Sequence, residues 1–230
     1  MHSLLSKPTI LENLGMGVII HPFIPQHLKS ASYDVRIGKN YYLRKSGRET
    51  GDAIFNPFSP KAIERHFGAF IEAKPAKCTQ SYRDHPDLWD GIDPDDRVIL
   101  LEPGEMMLGH TEEYIGGTLD PLSGRCFLAE MKARSSVGRL GFEVCRCAGW
   151  GDVGYVNRWT MEVVNTSNTC LPLVIGMRVA QMKFYEVDPV DPCDLYGNDS
   201  GRDHYQTTTN LEELQKKWRP EMMLPRITKT

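Results

Sequence analysis

"CFLAEMKARSSVGRLGFEVCRCAGWGDVGYVNRWTMEVVN", residues 126 to 165, alternates apolar runs with polar, glycine-rich breaks. Its last run, NRWTMEVVN (157–165), shows why the runs read as strands. Side chains alternate along an extended chain, so Trp159, Met161 and Val163 share one side while Thr160, Glu162 and Val164 share the other. The same texture continues outward in RVILLEP (97–103), EMMLGHT (105–111), CLPLVIG (170–176) and RVAQMKFYEV (178–187). PG, SGR, GWGDVG and NTSN punctuate these runs. Short apolar runs with turn signals about every ten residues predict a mainly β sandwich or barrel, not βαβ units.

The flanks are less regular. Ser6 to Leu14 predicts a short amphipathic helix, and SASYDVRIGKNYYL (30–43) predicts a half-buried strand in which Tyr33, Val35 and Ile37 alternate with polar residues. Residues 44–95 read as a loop-rich insertion of weak periodicity, with one short helix at Lys61 to His66. The tail, about 187–230, holds a Pro/Asp/Gly linker, the stretch HYQTTTN, and a helix over LEELQKKWRP with Asn210 as its N-cap. A tail of this kind is expected to need a ligand or a neighbouring subunit to order it.

Composition removes several classes of function. The 230 residues carry 27 Lys+Arg against 30 Asp+Glu, a net charge of −3, so no global field draws the chain to nucleic acid or an anionic membrane. No apolar run approaches the roughly 18–20 residues of a membrane span. The six cysteines (Cys78, Cys126, Cys145, Cys147, Cys170 and Cys193) read as reduced thiols, and the protein as cytoplasmic. No GxxxxGK[ST] loop is present. The zinc-deaminase pattern is only half there: HTE stands at His110–Glu112, but Pro192–Cys193 lacks a second cysteine. Cys145 and Cys147 would share one strand face as small buried thiols of the core.

Two features carry chemistry. ARSSVGRLGF (133–142) sets Arg134, Ser135, Ser136 and Arg139 among small residues, which suits either a polar turn or a cradle for an anion. Glu162 stands between apolar residues, a costly place for a carboxylate unless it faces solvent or performs chemistry.

The ordered set RSSVGRLG, AGWGDVGY and TMEVVN resembles the signature of the dCTP deaminase branch of the dUTPase-like superfamily. SASYDVRIG and LLEPGEMMLGHTEEYI agree with two further motifs of that family, so the resemblance spans most of 4–43 and 97–186, with a partial match at 196–206. It implies a distorted jelly-roll or β-barrel of the dUTPase-like type, with a few short helices, forming one domain over 1–230. The reaction implied is hydrolytic deamination of dCTP to dUTP and ammonia without zinc, with Mg²⁺ carried on the triphosphate. Arg134, Ser135 and Ser136 would hold the phosphates, and Arg139 would sit beside the water and base; Ser135 and Arg139 thereby join the catalytic set. Asp152 would accept from the 3′-OH, Tyr155 would pack on the deoxyribose, and Ala148, Thr160 and Met161 would border the base. Tyr196, His204 and Tyr205 would close over the phosphates. Glu162 would be the general base and acid.

The resemblance also implies a homotrimer with sites at subunit interfaces, and dUTP or dTTP as further ligands, the latter as effector. This sequence departs from the family pattern at several places. Cys145 stands for a His and Cys147 for a Thr; GDVG replaces Ile-Asp-Pro-Gly, and His204 replaces a lysine. Four alternatives stay open at this point: a dUTPase, a bifunctional deaminase–diphosphatase, a deaminase of 5-modified dCTP, and a non-catalytic nucleotide-binding regulator.

Overall fold

A computed structural model describes residues 3–198, 205, 206, 208 and 210–227. The chain opens with helix α1 (Lys7–Glu12) and strands β1 (Val18–His21), β2 (Tyr33–Arg36) and β3 (Asn40–Leu43). The insertion holds α2 (Gly47–Thr50), α3 (Pro60–Phe67), β4 (Ile71–Glu72), β5 (Lys74–Pro75) and α4 (Gln80–Asp84). β6 (Arg97–Leu101), β7 (Met106–Gly117), β8 (Cys126–Ala133), α5 (Ser135–Arg139), β9 (Phe142–Val144), β10 (Trp150–Gly151), β11 (Val156–Asn165), β12 (Leu171–Val174) and β13 (Arg178–Val187) follow. Helix α6 (Leu211–Lys217) comes last.

The strands form three sheets, ordered β4-β3-β7-β11-β9 with β1 also on β7, β10-β8-β13-β2, and β12-β6-β5. All pairings between strands are antiparallel, as expected for a chain that connects neighbours by tight turns. The sheets wrap a common core as a distorted β structure and do not close into a single barrel. Tyr33, Val35, Ile37, Phe127, Met161 and Phe184 are fully buried there. The predicted alternation of β11 holds: Trp159, Met161 and Val163 enter the core, while Thr160 and Glu162 turn to the opposite face.

Three expectations need correction. The C-x-C pair does not share a strand face, because β9 ends at Val144 and both Cys145 (φ 64°) and Arg146 (φ 42°) adopt the left-handed region. Cys145 is buried and Cys147 is exposed. The insertion is more structured than its weak periodicity suggested. Ser59 Oγ accepts from Ala62 N at 3.3 Å, Pro60 starts α3, and the helix delivers Phe67 onto Tyr42. Trp89 packs with Ala76 and Val98 in a small second cluster.

The single strand read over 30–43 is two, β2 and β3, which pair in different sheets. In the tail, the described residues pack on their own chain. Asn210 caps α6 by accepting from Glu213 N at 3.1 Å, and Leu214 is buried with Tyr114 and Val156. The Arg158 guanidinium lies 4.9 Å over the Trp218 ring and 5.1 Å over the Tyr114 ring. Among the described residues no helix is long and apolar enough to cross a membrane.

Candidate functional site

Glu162 faces a cavity of about 520 Å³, within the usual range for small-molecule sites. β11 positions it directly across from Leu108 of β7, while its carbonyl accepts from Cys145 N at 3.0 Å. Its Oε2 is buried and has no hydrogen-bond partner among the described residues. Burial pushes the carboxyl above its ordinary range, partly offset by its own backbone N–H and by Arg146. The adjoining Cys145 thiol is driven up by burial and then by Glu162, so it remains a neutral neighbour. A buried carboxylate oxygen without a partner, aimed into a cavity, is the arrangement that acid–base chemistry requires and that folding alone disfavours.

The turn after β9 forms one end of the cavity. Ala148 N donates to Cys145 O at 2.7 Å, and Trp150 Nε1 donates to Asp152 Oδ1 at 3.1 Å. Tyr155 packs edge-on to Trp159 at 5.1 Å and to Tyr196 at 4.9 Å. Burial, followed by the neighbouring Tyr196 and Tyr205, raises the Tyr155 phenol, which stays protonated. Gly151, in the family's isoleucine position, has a local reason. A Cβ there would lie 2.4 Å from the Trp159 ring, so the indole occupies the space a side chain would need.

The tail is clamped onto this end. Gln206 Oε1 accepts from Val156 N at 3.0 Å and its Nε2 donates to Gly154 O at 2.6 Å, so a side chain replaces a missing strand partner. Tyr205 N donates to Tyr196 Oη at 2.9 Å. Gly154 (φ +98°) makes the turn beneath them, where a Cβ would lie 3.0 Å from Tyr196 N.

Of the predicted site residues, Ala148, Asp152, Tyr155, Thr160, Glu162, Tyr196 and Tyr205 line this one cavity. Met161 sits behind them in the core, with only its backbone in the strand that borders the cavity. His204 lies outside the described residues. Arg134, Ser135, Ser136 and Arg139 do not line the cavity in a single chain. They belong to α5 and its N-cap, which follow β8 in the second sheet.

Ser135, Ser136 and Arg139 are exposed, and their side chains make no hydrogen bond among the described residues; Val137 between them is buried as the anchor. Arg134 is held from behind. Its Nε is 3.5 Å from Asp34 Oδ2, and its Nη1 donates to Arg178 O at 3.2 Å. Asp34 is fully buried and also accepts from Arg178 Nη1 at 3.0 Å and Gln181 Nε2 at 3.2 Å. One carboxylate thus serves several cationic side chains, leaving a surplus of positive charge beside the exposed serines.

The His110 of the half-present zinc pattern is a packing residue. Its Nδ1–H donates to Thr111 O at 2.8 Å, its Nε2 accepts from Asn40 N at 3.4 Å, and burial lowers its pKa to about 4. The sequence did not single out Phe55 and Phe67 of the insertion, or Met223 and Pro225 of the tail, which form another wall. Only the fold brings them to Glu162.

A family model described as dCTP deaminase-like matches residues 4–187. The chain belongs to the dCTP deaminase-like family. Two curated relatives carry the name "dCTP deaminase, dUMP-forming". The Bifidobacterium longum (strain DJO10A) protein is 30% identical over 209 residues, covering 88% of this chain and 89% of that one. The Nanoarchaeum equitans protein is 27% identical over 176 residues, covering 76% and 79%. A solved 2′-deoxycytidine 5′-triphosphate deaminase from Agrobacterium tumefaciens superposes with a TM-score of 0.52 at 15% identity, over 80% of this chain. This chain spans 46% of that one, and the likeness is one of fold. Within the dCTP deaminase-like family, the strand–turn–strand unit from Ala148 to Glu162 is thus the part of this member that builds a cavity around a carboxylate.

Proposed function

We propose that this protein deaminates dCTP hydrolytically, with Glu162 as general base and acid. The observation that carries this reading is the buried, unpartnered Glu162 Oε2 facing the cavity. Glu162 takes a proton from a water that attacks C4 of cytosine, and protons then pass to N3 and to the departing ammonia. A positioned acid–base group of this kind contributes a factor of about 10² to 10⁴. Burial raises its proton affinity toward the working pH, which improves the return of the proton.

In this reading the sugar lies against Tyr155, with Asp152 accepting from its 3′-OH, and Thr160 and Met161 meet the base through the backbone. Ala148 borders the base, while Tyr196 and Tyr205 cover the phosphates of a Mg²⁺-bound triphosphate, which enters as substrate. Arg134, Ser135, Ser136 and Arg139 serve the cavity of a neighbouring copy in a closed homotrimer. The exposure of Ser135, Ser136 and Arg139, and the separation of all four from the cavity of their own chain, support this arrangement.

Two results follow from these assignments. The acid limb of kcat/KM against pH lies above the ordinary carboxylate range, because activity needs ionised Glu162 and burial has raised its pKa; a limb at or below 4.5 contradicts the role. Glu162→Gln and Ser135→Ala, each impaired alone, regain activity when unfolded together and refolded as mixed oligomers. Random mixing makes about a quarter of shared sites intact. No recovery in oligomers shown to be mixed means that each site is built within one chain.

The names of the two relatives favour a second reading, in which the uracil nucleotide is further cleaved to dUMP and pyrophosphate. Assay of dCTP turnover for both leaving products separates the two. Ammonia alone gives the deaminase; equal ammonia and pyrophosphate give the bifunctional enzyme.

A further inference from the structure

The cavity changes character beyond Glu162. Across β3, β7 and β11, residues Tyr42, Leu108 and Glu162 stand in one row. Phe67 and Met223 cluster on Tyr42 and Leu108, with Phe55 and Met106 packed beside them. Pro225 completes the wall. The side chains among these that line the cavity, Phe55, Phe67, Met106, Leu108, Met223 and Pro225, offer carbon and sulfur and no hydrogen-bonding N–H or O–H group. Among the described residues the one cation lining the cavity, Arg44, lies 5.3 Å over the Phe55 ring.

A cytosine with its sugar at Tyr155 and its amino group at Glu162 has two edges beside C4. N3 must exchange a proton during the reaction, so it needs polar company and cannot face this wall. The edge that suits the wall is C5. An alkyl group at C5 would cover more of this wall than C5–H does and would remove more apolar surface from water.

We propose that the preferred substrate is a deoxycytidine triphosphate bearing a small apolar group at C5, with Phe55, Phe67 and Met223 as the residues that select it. This rests on reading the cavity as a deaminase site built on Glu162. The reaction balances without further reagents. Water oxygen bonds to C4, the C4–N bond breaks, ammonia leaves with protons relayed by Glu162, and the bond from C5 to its substituent is untouched. With 5-methyl-dCTP the product is thymidine triphosphate.

The test is ammonia release from 5-methyl-dCTP and from dCTP by the intact protein under identical conditions. The expected kcat/KM ratio is about 10 in favour of the methylated nucleotide, the low end for one methyl group in an apolar pocket. Phe55→Ala lowers that ratio toward unity. Partial unfolding lowers both rates alike and leaves the ratio unchanged, so the ratio reads specificity alone. A ratio at or below one in the wild-type protein overturns the proposal while leaving deamination by Glu162 standing. An unchanged ratio in Phe55→Ala removes that residue from the selecting wall. No ammonia from either nucleotide overturns this proposal together with the reading beneath it.

Discussion

Glu162→Gln is expected to lower kcat for deamination by about 10² to 10⁴ while nucleotide binding persists, and to make the protein harder to unfold at neutral pH. Both effects have one cause. The glutamine keeps the shape of the side chain but cannot take a proton from water. It also relieves the fold of a buried, unpartnered carboxylate oxygen. Groups that serve catalysis in this way lower stability, and their removal commonly recovers about 1 kcal/mol, or about 2–4 °C in Tm for a chain of this size.

The pH dependence follows from the direction of the shift. Burial raises the folded-state pKa of Glu162 above the ordinary 4.5, so the folded state holds the proton more tightly than the unfolded state does. The carboxylate therefore costs stability as pH rises from that ordinary value through the raised one. The Tm difference between Glu162→Gln and wild type is absent at low pH, opens across that window and then levels off. Thermal melts of both proteins from acid to neutral pH check it.

The largest loss of stability is expected at a different carboxylate. Glu113 is fully buried on β7 and accepts from Arg36 N at 3.0 Å and Arg36 Nε at 2.7 Å, tying β2 to the central strand of the other sheet. Even with this partner, burial holds the Glu113 carboxyl above its usual range. Arg36→Met removes the guanidinium and strands the charge, which costs about 3–5 kcal/mol, or about 10 °C in Tm. Without the guanidinium the folded pKa rises further, so the deficit is greatest at neutral pH and shrinks on acidification as Glu113 takes up a proton. A substitution that leaves Tm unchanged at neutral pH contradicts the pairing.

The longer strands were legible from sequence because each carries its own signal. β1 and the two-residue β4, β5 and β10 were not read in advance, and the one strand read over 30–43 is divided into β2 and β3. Alternation along β11 separates Trp159, Met161 and Val163 from Thr160 and Glu162, and that separation alone determines which residues reach the cavity. The turn residues Asp152 and Tyr155 were singled out through the resemblance, and they line the same cavity as Glu162.

Alternation misled at Cys145–Cys147, where two consecutive residues of positive φ break the strand geometry the rule assumes. The wall of Phe55, Phe67 and Met223 was not legible, since each stands in an irregular or short element without periodicity. Their meeting with Leu108 is made by contacts far apart in sequence. The tail gave the helix and its Asn210 cap, which are local. Its seat on Arg158 and Tyr114 is not local and could not be read in advance.

The most direct measurement is ammonia release from Mg²⁺–dCTP by the wild-type protein and by Glu162→Gln, with nucleotide binding measured on the same samples. The wild type releases ammonia in equal amount to the uracil nucleotide formed, and the variant, still binding dCTP, releases it at least about 10²-fold more slowly. Saturable binding of dCTP by the wild type without ammonia, or full activity in Glu162→Gln, would contradict deamination by Glu162.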